Sequence, residues 1–192
     1  DILLNIITGR ASGQLYFMLV LIQLTLITPL LIKCTKKKWL NRFVWGITPL
    51  YLLTLYAYQI LTLKQMPYYA TVFPAWLIFY YAGIHKRIDD NQKKKSDKDN
   101  PLAAIGYVML TLLLSIFETY LLKSLGLPEG FISSQIKISS FIYTFALLKF
   151  FFEIKEYSEE IKFPQWMIYI GDNSYGIYYV HCLWLIVMTR II

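Results

Sequence analysis

The chain has 192 residues, of which 57% are hydrophobic, 17% aromatic and 16% charged, and its mean hydropathy is +0.47. A soluble domain usually carries about a quarter charged residues, so this composition excludes an ordinary soluble domain. The apolar content equally excludes a disordered chain. Two cysteines are too few for a disulfide framework. The composition therefore predicts a membrane protein, and the net charge of +7 must be explained by where the charges lie.

Six apolar stretches approach the roughly 20 residues that a bilayer-crossing helix needs. The sequence therefore predicts an all-α fold, a polytopic transmembrane helical bundle of about six spans that forms a single transmembrane domain over residues 1–192. Prolines near the ends of these stretches are compatible with membrane helices. The predicted spans are Gln14–Ile32, Val44–Leu63, Ala70–Ile84, Leu102–Leu122, Gln135–Phe152 and Ser174–Ile192.

Lysine and arginine residues predict the orientation of these spans. They concentrate in alternate loops, those after the first, third and fifth spans, and occur singly in the others. The positive-inside rule places the basic loops in the cytoplasm and both ends of this chain outside. The net charge is thus explained by topology and by attraction to anionic lipid headgroups. Nucleic-acid binding would need these residues gathered on one folded surface, so no nucleic-acid partner is expected.

Two stretches outside the predicted spans have distinct charge patterns. Residues 85–101 carry mixed charges and are interpreted as a flexible cytoplasmic loop. Residues 153–165 alternate acid and base and place Ile154, Tyr157 and Ile161 on one helical edge. This edge predicts a short cytoplasmic surface helix that lies on lipid and ends near Pro164.

Ionisable side chains within apolar spans are functional candidates, because burying them in a bilayer is costly. Glu118 lies about a turn from the outer end of its span, where it could face a polar cavity or reach the interface. Lys149 lies about a turn from an inner end, where snorkelling explains it. Gln14, Gln23 and Tyr16 share related faces of the first span, and interhelical hydrogen bonds are the favoured interpretation.

His181 is the most specific polar candidate, about seven residues into the last predicted span. Ser174, Tyr178 and His181 are spaced i, i+4 and i+7, which places them on one helical face. The imidazole could be a buried group satisfied by a tyrosine, a proton relay, or a binding group for a substrate hydroxyl. Gly171 predicts a turn before this span, and Asp172, Asn173 and Ser174 predict its N-cap.

Motifs for other chemistries are absent from the sequence. The two histidines lie far apart and the two cysteines stand alone, so no metal-ligand spacing occurs and no metal is expected. The sequence contains no phosphate-binding glycine loop, no Gly-x-Ser-x-Gly motif and no HExxH motif. These absences exclude several enzyme classes without naming a reaction.

Three stretches resemble a known family. Residues 171–181, GDNSYGIYYVH, are similar to the "G-x-x-SYGIYL-x-H" motif near the end of acyltransferase-3 proteins, which are polytopic membrane O-acyltransferases. Residues 9–17, GRASGQLYF, with a proline and two leucines at 29–31, resemble a helix in the middle of the family's chain. Residues 74–84, PAWLIFYYAGI, resemble its "W-x-x-YF-x-x-G" span. The order and spacing of all three agree with the family.

The resemblance implies an enzyme that transfers an acyl group, acetyl above all, from cytoplasmic acyl-CoA to a hydroxyl of a cell-surface polysaccharide or glycan. It implies membrane lipid and the glycan acceptor as partners, no metal, and a location in the bacterial plasma membrane. The implied site-lining residues fall into two groups, both named by position in this sequence. Arg10, Ser12 and Gln14 would lie near the outer end, and Ser174, Tyr175, Tyr178 and His181 would line the bundle from the inner side.

The resemblance also implies that the chain is the C-terminal portion of such a protein. The arginine and histidine assigned to catalysis in the family's first helices have no counterpart here, so His181 is not assigned the catalytic role. The chain would then act with its missing N-terminal half or as a homo-oligomer. Two other functions stay open at this stage, an exporter of polysaccharide or of a lipid-linked precursor and a non-catalytic membrane remnant.

Overall fold

A computed structural model describes residues 16–91, 101–157, 164–174, 176–178, 180, 181 and 184. Within these residues the fold is helical, and no strand occurs, which confirms the predicted all-α class. In the described part of the chain, seven α-helices follow one another, with one 3-10 turn between the second and third. They are α1 (Tyr16–Thr35), α2 (Lys38–Thr62), the 3-10 turn (Phe73–Ala75), α3 (Leu77–Asn91), α4 (Pro101–Ser124), α5 (Glu129–Ile132), α6 (Ile138–Tyr157) and α7 (Gln165–Asp172).

Two compact units make up the chain. The larger unit is Val20–Tyr157, and the smaller unit combines Asp1–Leu19 with Ser158–Ile192. This division does not test whether residues 1–192 form a single transmembrane domain, which stays a prediction.

Three helices of the described part are long and apolar enough to cross a membrane. They are Tyr16–Thr35, Lys38–Thr62 and Leu102–Ser124, and they overlap the first, second and fourth predicted spans. The protein is therefore a helical membrane protein, while the count of about six spans stays a prediction. Most of the sixth span, Ser174–Ile192, lies outside the described residues.

The third predicted span, Ala70–Ile84, begins too early. Residues 70–76 form turns and a 3-10 helix, and α3 begins at Leu77 and continues to Asn91. Pro74 lies inside this 3-10 turn and Tyr68 has a left-handed φ of 56°. A helix that began at Ala70 would place Pro74 beyond its first turn, where the missing amide hydrogen and the clash with the Ala70 carbonyl disrupt helical geometry. The left-handed φ of Tyr68 is likewise incompatible with a right-handed helix that begins before Ala70.

Helix ends also differ from the predicted boundaries on the polar side of the spans. Residues 85–91 belong to α3, so the charged loop predicted over 85–101 starts later than expected. Residues 153–157 continue α6 rather than starting a separate surface helix, and α7 begins at Gln165 behind Pro164. Residues 92–100 and 158–163, which complete both predicted segments, lie outside the described residues.

The connection between α2 and α3 is held by polar side chains that project from the helices. The Thr48 hydroxyl donates to the Pro74 carbonyl at 2.8 Å and accepts from the Ile78 amide at 3.1 Å. Gln23 uses both ends of its amide, donating to the Thr71 carbonyl at 3.0 Å and accepting from the Phe73 amide at 2.9 Å. Non-helical backbone is tolerated at membrane depth only where such partners exist.

The same connection packs against the segment between α4 and α6. Phe131 is fully buried, and its ring centroid lies 5.2 Å from that of Tyr56 and 6.1 Å from that of Tyr69. The Tyr69 hydroxyl donates to the Gly130 carbonyl at 3.2 Å. These contacts belong to a core cluster that includes Leu52 and Leu55 of α2. The two connections therefore form one packed layer at this end of the larger unit.

Gly126 makes the sharp end of α4 possible. Its φ of +71° is left-handed, its amide donates to the Lys123 carbonyl at 3.0 Å, and the Leu127 amide donates to the Leu122 carbonyl at 3.2 Å. This pattern is the Schellman motif, in which glycine avoids the cost of a side chain in left-handed conformation. Leu122 and Leu127 are both buried, which supplies the hydrophobic contact of the motif.

Glu118 reaches across from α4 to the first turn of α6. One carboxylate oxygen accepts from the Ser139 amide at 2.9 Å, and the other accepts from the Tyr56 hydroxyl of α2. The Tyr56 oxygen in turn accepts from the Ile138 amide at 3.2 Å. The first amides of a helix have no partner within the helix and favour a negative charge. Glu118 thus stabilises the start of α6 through hydrogen bonds to two other helices.

The opposite end of the larger unit gathers basic residues from three helices. Asn41 Oδ1 accepts from the Tyr81 hydroxyl at 2.8 Å and from His85 Nε2 at 2.9 Å, which ties the start of α2 to the end of α3. Lys86 Nζ lies 5.0 Å from the Phe152 ring centroid near the end of α6. We call this region the basic end and define it as Lys33, Lys36, Lys37, Lys38, Arg42, Lys86 and Arg87.

Replacement of Thr48 by valine tests the role of polar partners in the connection between α2 and α3. Thr48→Val keeps the shape of the side chain but leaves a carbonyl and an amide without their partner. We expect a loss of about 1–3 kcal/mol in unfolding free energy, measured by thermal or denaturant unfolding of the detergent-solubilised protein. Thr54→Val is the matched control, because Thr54 is exposed and bonds only to the Tyr51 carbonyl of its own helix. Equal losses in the two variants would contradict this role.

A double-mutant cycle tests the link between α2, α4 and α6. Tyr56→Phe and Glu118→Ala should be coupled by about 0.5–3 kcal/mol in unfolding free energy, because both side chains belong to one hydrogen-bond network. The control cycle combines Glu118→Ala with Tyr58→Phe, since Tyr58 is an exposed tyrosine of the same helix. A Tyr56 coupling no larger than that of the control would show that Glu118 does not stabilise the start of α6 through Tyr56.

Candidate functional site

The smaller unit carries the candidate site in the segment that begins with α7. Pro164 precedes α7 as its N-cap residue, a position at which the missing amide hydrogen costs nothing. The helix includes Gly171 and Asp172 and ends at Asn173, whose side-chain amide donates to the Tyr169 carbonyl at 2.8 Å. The predicted turn at Gly171 lies two residues later, at Asn173, because α7 includes Gly171 and Asp172. Helix resumes at Ser174, the residue at which the sequence predicts the start of the last span.

Helical backbone resumes directly after this turn. Residues 174, 176–178, 180, 181 and 184 are helical, and the Ile177 amide donates to the Asn173 carbonyl at 3.0 Å. The turn at Asn173 is consequently a local interruption between two helical stretches. This continuation sets the direction in which the later side chains project.

His181 is oriented by the backbone one turn before it. Its Nδ1 lies 2.8 Å from the Tyr178 carbonyl oxygen. A carbonyl only accepts hydrogen bonds, so Nδ1 carries the hydrogen, and in the neutral ring Nε2 is the acceptor. The Tyr178 ring centroid lies 5.4 Å from the imidazole and 5.7 Å from the ring of Phe17 in α1. The structure thus holds the imidazole in one tautomer against an aromatic support.

An open groove of about 610 Å³ lies beside the imidazole. Apolar side chains dominate its wall, with the His181 ring and the Asn173 amide as polar groups. The described lining residues are Tyr169, Ile170, Asn173, Gly176, Ile177, Val180, His181 and Trp184. Apolar pockets with a few fixed polar groups are typical of ligand sites.

The predicted site residues have different positions relative to this groove. His181 lines it, whereas Ser174 is an exposed residue and the half-buried Tyr178 supports the imidazole. Tyr175 lies outside the described residues, as do the other predicted site residues Arg10, Ser12 and Gln14. The described residues contain no group of three or more side chains that could hold a metal ion.

Sequence reasoning missed two buried polar side chains in the larger unit. Lys137 is buried, and its Nζ donates to the Thr119 hydroxyl at 2.7 Å next to Glu118. Gln59 is fully buried, and within the described part of the chain its amide has no hydrogen-bond partner. Isolated amides and hydroxyls in apolar helices were the available signal, but their pairing depends on tertiary contacts between distant segments.

Comparison with known proteins assigns the chain to a family. A family model described as an acyltransferase domain matches residues 2–192. No curated protein and no solved structure shows a match to the chain. The matched range contains all three motif stretches identified above and the candidate groove. The chain therefore belongs to the acyltransferase-3 family.

Proposed function

We propose that the protein transfers an acetyl group from acetyl-CoA to a hydroxyl of a cell-surface polysaccharide or glycan, in the plasma membrane of a bacterium. Membership of an acyltransferase family supports the reaction class, and three helices able to span a bilayer support a membrane site. One observation links the proposed reaction to a particular residue. The imidazole of His181 lines an apolar groove and is oriented by the Tyr178 carbonyl.

The chemistry required is the exchange of a thioester for an oxygen ester. The acceptor hydroxyl oxygen attacks the thioester carbonyl carbon, the carbon–sulfur bond breaks, and coenzyme A leaves with the proton as a free thiol. A base that accepts the hydroxyl proton speeds such reactions by about 10²- to 10⁴-fold. The acceptor nitrogen Nε2 of His181 fits the role of orienting this hydroxyl, because Nδ1 already donates to the Tyr178 carbonyl.

The groove and its surroundings support binding of a sugar beside an apolar acyl group. Tyr169 and Trp184 supply aromatic surface, and the Asn173 side chain lies at the same wall. The acetyl group would lie against the apolar part of the groove, with the acceptor hydroxyl directed toward His181. Arg10, Ser12 and Gln14 are proposed to bind the glycan from the outer side, and Ser174, Tyr175 and Tyr178 to complete the groove.

Substitution of His181 tests this proposal in membranes that carry the full-length protein. His181→Ala should lower glycan O-acetylation by roughly tenfold or more, because it removes the group that orients the hydroxyl. Tyr178→Phe should retain most activity, because the phenylalanine keeps the carbonyl that orients His181. The readout is acetyl content of the isolated glycan by NMR, normalised to the amount of protein in the membrane.

The second histidine provides the matched control. His85→Ala removes the other imidazole of the chain, which bonds to Asn41 at the basic end of the larger unit. It should change acetylation much less than His181→Ala at equal protein level. Unchanged acetylation in His181→Ala would contradict the role of this residue, and glycan export without release of coenzyme A would favour an exporter instead.

A further inference from the structure

We propose that the basic end binds the headgroup of an anionic phospholipid, with the exposed pair Trp39 and Phe43 against its acyl chains. This proposal is independent of the acyl-transfer reaction and concerns a different unit of the chain. The argument rests on the arrangement of charge, on the electrostatics of the start of α2, and on an aromatic surface beside the charges.

The charge at the basic end is concentrated and of one sign. Residues 33–42 contain five basic residues and no acidic residue. The turn between α1 and α2 is tight, with the Lys37 amide 3.3 Å from the Cys34 carbonyl, so these side chains converge on one helical hairpin. All five are exposed. The hydrogen bond between His85 and Asn41 adds Lys86 and Arg87 to the same end.

The acidic residues that the structure describes near this end lie on helices other than the hairpin. Asp89 and Asp90 follow Arg87 on α3, and Glu153 lies 3.6 Å from Lys149 on α6. These acidic residues belong to α3 and α6, whereas every charged residue of the hairpin between α1 and α2 is basic. The hairpin itself therefore carries a net positive charge.

At the start of α2, this concentration of positive charge is electrostatically unfavourable when no anion is bound. Lys37 is the N-cap residue and makes no side-chain capping bond, Lys38 is the first helical residue, and the first turn contains no acid. Positive side chains at the N-terminal end of a helix oppose the helix dipole. A bound anion would offset this repulsion, and anionic lipids attract basic segments that lie beside a membrane span.

The aromatic pair distinguishes a lipid from a soluble anion. Trp39 and Phe43 stack at 6.2 Å between ring centroids and are 74% and 61% exposed. They lie one turn apart in the first two turns of a helix able to span a bilayer. Tryptophan near the end of a membrane-spanning helix is typical of the interface between headgroups and hydrocarbon. A ligand that contacts both the basic residues and the aromatic pair carries an anionic headgroup joined to apolar chains.

Lipid binding by the purified full-length protein tests the proposal directly. Native mass spectrometry in detergent would follow a titration with phosphatidylglycerol, with phosphatidylcholine as the neutral lipid. The variant K36Q/K37Q/K38Q should bind phosphatidylglycerol roughly tenfold more weakly or worse, because each basic residue near the surface contributes severalfold to such binding. Phosphatidylcholine binding should be nearly the same in both proteins.

The chain offers a control with the same change of charge. K93Q/K94Q/K95Q also removes three consecutive lysines, from the charged stretch after α3, and should weaken binding less than K36Q/K37Q/K38Q, because these lysines do not belong to the hairpin. Equal weakening by the two triple variants would overturn the proposal, because binding would then follow net charge alone. K33Q/R42Q repeats the test should the first variant unfold, and it should also weaken phosphatidylglycerol binding severalfold.

The double variant W39A/F43A tests the lipid character of the ligand. It retains every charge of the basic end but should weaken phosphatidylglycerol binding severalfold, because the acyl chains lose their aromatic contact. Inorganic phosphate at millimolar concentration should not displace the lipid. Unaltered binding in W39A/F43A together with displacement by phosphate would overturn the proposal in favour of a soluble anion.

Discussion

The polar groups of a peptide backbone must be satisfied wherever the chain leaves helical geometry inside an apolar bundle, and this constraint governs the larger unit. Thr48 and Gln23 together satisfy two carbonyls and two amides of the connection between α2 and α3. Glu118 and Tyr56 do the same for the first amides of α6. Each partner comes from a helix distant in sequence, so these hydrogen bonds hold the helices together as well as satisfying the backbone.

The two ends of the larger unit differ in chemistry, which gives the protein a direction in the membrane. One end is a packed layer in which Phe131, Tyr56 and Tyr69 meet around buried polar groups. The other is the basic end, where the hydrogen bond between Asn41 of α2 and His85 of α3 joins residues that are 44 positions apart in sequence. From the positive-inside rule we propose that the basic end faces the cytoplasm, the compartment that supplies acyl-CoA in the proposed reaction.

The long helices were predictable because the length of an apolar stretch is a strong signal. The non-helical connections between them were harder to predict, because they depend on a few individual residues. The spans beginning at Gln14, Val44 and Leu102 were predicted close to their helices. Ala70 was wrongly placed in a span because apolar composition outweighed Pro67 and Pro74. His181 was identified from its sequence position, but its orientation by the Tyr178 carbonyl required the backbone. The partners of Glu118 could not be predicted, since Tyr56 and Ser139 are 62 and 21 residues away.

The central claim is that a membrane-spanning acyltransferase takes its donor from the side of the basic end. Sealed membrane vesicles of known orientation test this claim most directly, with labelled acetyl-CoA added outside and release of coenzyme A and labelling of the glycan measured together. The account predicts both signals in inverted vesicles, which expose the basic end, and neither in right-side-out vesicles. Equal activity in right-side-out vesicles would contradict the proposed direction, and absence of coenzyme A release in both would contradict acyl transfer itself.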